Sequence, residues 1–175
     1  YNLNGDKMKN VIFDIGGVIT NFSDLILVNY LNMSIEEVKE FTRTVYSSYE
    51  WRECIKGRLS HQEVINSLSN KIPRELLNKL LLKENLKYVL PFRTGILEEI
   101  SKIKKKYNIY ILSNLTEGTY EYLNELKIFD IFDGTVFSYE CGLTKPDHNI
   151  YELLIEKYKL NKEECILFDD SNRNI

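Results

Sequence analysis

Val11-Ile12-Phe13-Asp14-Ile15-Gly16-Gly17-Val18 decides the fold. The β-rich apolar run from Lys9 to Ile15, closed by two glycines, reads as a buried strand entering a tight loop. Its end carries one acid, Asp14. A carboxylate there is expensive to bury unless something pairs with it. Either Asp14 caps the strand end, or it is a nucleophile, since carboxylates attack phosphorus and form aspartyl-phosphates. Gly16 and Gly17 let a backbone approach a phosphate closely and offer N–H groups to its oxygens.

Three later segments add to this pattern. Ile111-Leu112-Ser113-Asn114 ends an apolar run on a hydroxyl and an amide. By itself that is also an ordinary turn or helix cap. Ile166-Leu167-Phe168-Asp169-Asp170 ends another run on two adjacent carboxylates. They repel each other, which favours a cation between them and Asp14. Mg²⁺ suits such hard oxygen donors and retains waters. Gly142-Leu143-Thr144-Lys145-Pro146-Asp147 sets a lysine before a proline expected to start a helix over 146–159. Together these are the parts that hold a phosphoryl group and a magnesium ion. In an open α/β sheet, ligands bind at the carboxyl ends of the strands.

The intervening sequence predicts the connections. From Ser23 to Tyr88 the pattern is helical, without a convincing strand. Ser34 with Glu37, and Ser60 with Glu63, fit capping boxes. Gly57 suits a turn between helices, and Pro73 the first turn of another. After Pro91 helices and strands alternate: helix 94–107, strand 108–113, helix 119–127, strand 134–138, helix 146–159 and strand 165–168. Asn161 with Glu164 caps a short turn before the last strand. Lys102, Lys104, Lys105 and Lys106 read as a solvated C-terminal turn that complements the helix dipole. His148 reads as a surface residue of a first helical turn.

The four segments, in this order, resemble the haloacid dehalogenase superfamily, mostly phosphatases, in the subgroup with a helical cap. The resemblance runs from about Val11 onward. It implies a Rossmann-like parallel sheet core, α/β in class, formed by residues 8–21 and 91–175, with an all-helical cap over residues 22–90. It also implies that Asp14 is the nucleophile and that Ser113 bonds a phosphoryl oxygen beside Asn114. Lys145 would offset charge between nucleophile and phosphate, as a compact ammonium can. Gly16 and Gly17 would complete the phosphate loop. Asp14, the Gly16 carbonyl, Asp169 and Asp170 would hold Mg²⁺, with Asn174 supporting them.

One departure matters. Phosphatases of this family usually carry a second aspartate where this chain has Gly16. It serves as general acid and base, worth about 10²- to 10⁴-fold. Gly16 keeps the carbonyl and lacks the carboxylate, and a side chain added there risks strain if φ is positive. Three outcomes follow: a slow phosphatase, a preference for substrates with good leaving groups, or a proton borrowed from the substrate or from Glu50, His61 or Asp24 of the cap. The leading expectation is a Mg²⁺-dependent phosphatase of a small phosphorylated metabolite. The alternatives are a non-catalytic phosphoryl-ligand or protein-binding module, and a metal-free haloacid dehalogenase, which gains nothing from the Asp169-Asp170 pair. Trp51, Arg52, Tyr46 and Tyr49 are the cap residues expected to choose the substrate.

Composition narrows the rest. With 175 residues, 43% hydrophobic, the chain is long enough to bury a core without disulfides. A net charge of −3 gives no electrostatic case for nucleic acid. No apolar run approaches the roughly 20 residues that span a bilayer. Three cysteines without metal spacing, and a polar start, read as a cytoplasmic protein with reduced thiols. Met8 is the expected native start, with residues 1–7 an extension or expression remnant, and the chain is expected to stop short of the family's usual final helix and strand.

Overall fold

The computed structural model describes residues 8–175; the expected extension, 1–7, lies outside the described residues. Four parallel strands form one sheet: β1 (Asn10–Phe13), β2 (Asn108–Ser113), β3 (Gly134–Phe137) and β4 (Cys165–Phe168), in the order β3-β2-β1-β4. This is the Rossmann-like parallel sheet that the resemblance implied, and the α/β alternation read after Pro91 builds it. All four residues of β1 are buried, as befits a strand covered on both faces. Its side chains alternate between two cores. Val11 and Phe13 join Ile109 and Ile111 on one face, under Ile100 of α7 (Ile96–Lys104) and Leu123 of α8 (Glu117–Glu125). Ile12 joins Tyr110, Leu112 and Val136 on the other, under Ile150 and Leu154 of α10 (His148–Tyr158). The short helix α9 (Ser138–Cys141) follows β3 directly.

Between β1 and α7 lie six α-helices: α1 (Asp24–Leu31), α2 (Ile35–Tyr46), α3 (Tyr49–Cys54), α4 (His61–Leu68), α5 (Arg74–Leu81) and α6 (Leu86–Val89). Both capping boxes form. Ser34 and Ser60 each accept the N–H of the residue three on, and the Glu37 and Glu63 carboxylates accept the cap N–H. These helices gather a core of their own, in which Leu27, Val38, Val45, Val64, Ile65 and Leu77 are fully buried.

Helix starts differ from expectation where a better cap competes. The proline at 146 does not begin α10. Asp147 does, because its carboxylate accepts the Asn149 N–H at 3.0 Å. Pro146 instead lies in a turn closed by Asp147 N–H donating to Thr144 O at 2.8 Å, and the Lys145–Pro146 bond is cis. Pro73 stands one residue before α5 rather than inside it. Thr116 caps α8, so that helix starts at Glu117, two residues before the expected 119. His148 is exposed and pairs with Glu152 at 3.0 Å. Among the described residues no helix is long and apolar enough to cross a membrane, and all three cysteines are free thiols.

Candidate active site

Parallel register brings the polar strand ends together. Phe13 of β1 pairs with Ile111 of β2 and with Phe168 of β4. The next residue, Asp14, extends the ladder by donating its N–H to Phe168 O at 2.9 Å. Asp14 and Asp169 are thus neighbours at the same edge of the sheet, and Ser113 ends the adjoining strand. Ser113 hydrogen-bonds the Asp14 side chain, and Ile15 N–H donates to Asp14 Oδ1 at 2.7 Å.

Lys145 enters from the turn before α10. Its side chain is 1% exposed, and its ammonium lies 3.0 Å from Asp14 Oδ1 and donates to Asp169 Oδ2. Asn114 holds that turn in place. Its amide donates to Lys145 O at 3.0 Å and its carbonyl accepts Lys145 N–H at 2.8 Å. The sequence reading set Asn114 against phosphate; in the fold its amide is occupied by the lysine's backbone. Asn174 Nδ2 donates to both Asp169 oxygens, at 2.9 and 3.0 Å, and Ser171 N–H donates to Oδ1 at 2.9 Å. Tyr151 OH secures this last loop by donating to Asn174 O at 2.8 Å.

The two strand-end acids differ in charge behaviour. Burial pushes the Asp14 pKa up, and Lys145 and Ser113 offset this only in part. Burial also pushes Asp169 up, but the hydrogen bonds from Lys145, Ser171 and Asn174 outweigh it and hold that carboxyl below the usual range. Asp14, Asp169 and Asp170 each offer an oxygen, and these atoms lie within 4.8 Å of one another. An all-oxygen set of this kind fits a hard divalent cation.

The glycine loop divides its tasks. Gly17 has φ +70°, and a Cβ on it would lie 2.0 Å from Asp170 Oδ2. At Gly16, where a side chain risked strain, φ is not positive and a Cβ meets nothing within 4 Å. Gly17→Ala is therefore expected to lower stability by about 1–3 kcal/mol, and Gly16→Ala by less than about 0.5 kcal/mol. Urea unfolding midpoints measure both; equal losses would remove the special role of Gly17.

Of the expected cap residues, Tyr46 and Trp51 reach the cavity beside the site, together with His61. Tyr49 is 64% exposed, and Arg52 donates to Ser47 O at 3.3 Å on the surface. Glu50 and Asp24 do not line the cavity. Two residues had no readable local signal. Arg93 donates to Gly17 O at 2.6 Å from 76 positions away. Thr116, hidden as a helix cap, also meets His61 Nε2 at 2.7 Å.

Over 176 residues the chain is 26% identical to the D-ribitol-5-phosphate phosphatase of Bacteroides thetaiotaomicron, covering 96% of this chain and 85% of that protein. It is 27% identical over 178 residues to a phosphorylated carbohydrates phosphatase of Thermotoga maritima, covering 96% and 79%. A crystal structure of a HAD family enzyme from Bacteroides thetaiotaomicron, in complex with magnesium and inorganic phosphate, aligns with a TM-score of 0.73 at 21% identity, over 95% of this chain and 87% of that one; at this identity the likeness speaks for the fold. The family model for haloacid dehalogenase-like hydrolases matches residues 8–175, and the chain belongs to that family of hydrolases.

Proposed function

We propose that the chain is a Mg²⁺-dependent phosphatase of a small phosphorylated metabolite. The observation that carries this reading is the convergence of Asp14, Ser113, Lys145, Asp169 and Asp170 at one edge of the sheet. The phosphatase names of two relatives point the same way. Helices α1–α6 are read as the cap that covers this edge.

Each residue then has a task. The Asp14 carboxylate attacks phosphorus, the bond to the alcohol oxygen breaks, and an aspartyl-phosphate forms that water hydrolyses. Ser113 donates to a phosphoryl oxygen, and the Gly16–Gly17 loop brings the backbone close to it. Lys145 sits between Asp14 and Asp169 and neutralises charge where nucleophile and phosphate approach each other. Asn114 and Asn174 position Lys145 and Asp169. Asp14, the Gly16 carbonyl and Asp170 would hold Mg²⁺, which supplies positive charge to the phosphoryl oxygens. Asp169, whose oxygens already accept hydrogen bonds from Lys145 and Asn174, would support the ion from behind these ligands. Gly16 supplies no acid, so leaving groups that need little protonation suffer least.

Phosphate release from acetyl phosphate, with Mg²⁺ and with a chelator, tests the reading. Turnover is expected with Mg²⁺ and not with the chelator. Asp170→Ala is expected to raise the half-saturating Mg²⁺ concentration at least about tenfold. Turnover indifferent to the chelator, or an Asp170→Ala protein with the wild-type Mg²⁺ response, would overturn it.

A further inference from the structure

A cavity of about 240 Å³ opens beside Gly16 and Ser113 and runs into the helical block. One wall is a row of rings. Phe22 and Tyr46 lie 5.6 Å apart between centroids, Tyr46 and Trp51 4.9 Å apart, and Trp51 stacks on His61 at 6.0 Å and 16°. Another part of the lining is aliphatic, made by the last residues of α5 and the apolar side chains of α6. Among the described residues, no aspartate, glutamate, lysine or arginine lines it.

Several of the polar side chains that reach this space are already engaged, while the wall also carries the Tyr46 hydroxyl and the Trp51 indole N–H. Thr20 Oγ1 donates to Ile15 O at 3.2 Å. Thr116 Oγ1 lies 2.7 Å from His61 Nε2 and 2.9 Å from Thr119 Oγ1. Asn114 is held by the Lys145 backbone. Burial pushes the His61 pKa below its ordinary value, which favours the neutral ring. A hydroxyl entering this space would leave water and find few vacant partners, which weakens binding. Apolar surface entering it gains.

We propose that this cavity takes the alcohol portion of the substrate, and that this portion is apolar and the size of one ring or a short branched chain. The chain then prefers phosphate monoesters of apolar alcohols to those of polyols. An apolar cavity of about 150 Å³ accommodates benzene, so 240 Å³ holds a ring with a one-carbon link to the phosphate. The preference rests on the phosphatase reading of the adjoining site. It differs from what the names of the ribitol phosphate and carbohydrate phosphatase relatives would suggest if carried over directly.

The chain reports on this cavity itself, because Trp51 is its one tryptophan and lies in the wall. Tryptophan emission of the wild-type protein with Mg²⁺ is titrated with benzylphosphonate, whose C–P bond resists hydrolysis, and separately with ribitol 5-phosphate. Benzylphosphonate is expected to shift the emission and to saturate at a concentration at least about tenfold lower than the polyol phosphate does. In turnover, benzyl phosphate and ribitol 5-phosphate both release a primary alcohol, so leaving-group chemistry is nearly matched; kcat/KM is expected to favour the benzyl ester by about 100-fold. Equal or better binding or turnover of ribitol 5-phosphate would overturn the proposal, as would a Trp51 emission that ignores benzylphosphonate. Acetyl phosphate separates the two readings, since its acyl group needs no cavity. If it is hydrolysed while Trp51 stays silent, the phosphatase reading stands and the cavity assignment falls. If Trp51 responds selectively while acetyl phosphate and benzyl phosphate are both inert, the cavity binds as described and the phosphatase reading falls.

Discussion

Asp14→Asn is expected to lose turnover by about 10⁴-fold or more and to melt at or above the wild-type temperature. An amide cannot form the acyl-phosphate, yet it is nearly isosteric and still accepts the Ile15 N–H at its oxygen. Stability survives because the ionised acid is already held at a cost, shown by the pKa that burial pushes up. Ser113→Ala makes the comparison. It removes one hydrogen bond to a charged group, worth roughly 1–3 kcal/mol, so its loss is expected to be far smaller. Phosphate release and a thermal melt on the three proteins decide the matter. An Asp14→Asn protein that keeps most of its activity would end covalent catalysis through this residue. One that unfolds would make Asp14 a structural acid.

Lys145→Met is expected to lower unfolding stability by about 3–5 kcal/mol at pH 7 in the presence of a chelator. The lysine is sealed from solvent and is the cation that faces Asp14 and Asp169 together. Without it two neighbouring carboxylates share a dry site. The deficit is expected to shrink in acid. Asp14 has a pKa raised above its ordinary value, and losing Lys145 raises it further, so the folded variant binds a proton more readily than the unfolded chain as pH falls. Asp169 is held low partly by Lys145, so the stability it contributes above the ordinary carboxylate pKa is diminished in the variant. Both effects make the penalty largest near neutrality. Denaturant unfolding at pH 7 and pH 5 checks this, and a deficit that does not change with pH would show that packing, not charge, is what Lys145 supplies.

Much of the fold was legible because its signals are local. Unbroken apolar runs marked β1, β2 and β4, and the serine–glutamate pairs marked the starts of α2 and α4. Helix starts were misplaced where two residues compete for one role: Asp147 outbids Pro146 because it offers an acceptor as well as a suitable backbone. The strand-end acids, the serine and the lysine were readable as polar groups in apolar surroundings. Their fine division of labour was not, since Asn114 reaches Lys145 from 31 positions away and Arg93 reaches Gly17 from 76. Which of Tyr46, Tyr49, Trp51 and Arg52 faces the site depends on how α2 and α3 pack, and helical spacing alone leaves that choice open. The positive φ of Gly17 rather than Gly16 is likewise a property of the assembled loop.

The order of the strands also has a consequence for how the chain reaches this state. β1 is synthesised before both of its partners, and pairs with residues 98 positions later in β2 and 155 positions later in β4, as Asn10 does with Asn108 and Cys165. Parallel pairing over such separations closes long loops before it is rewarded, and slows folding. During translation the Val11–Phe13 run emerges well before either partner strand, and an apolar run left unpaired in this way is exposed to aggregation until they follow. Asp14 gains Asp169 only when β4 docks against β1, so a form of the chain in which β1 is paired with β2 alone lacks the completed acidic cluster.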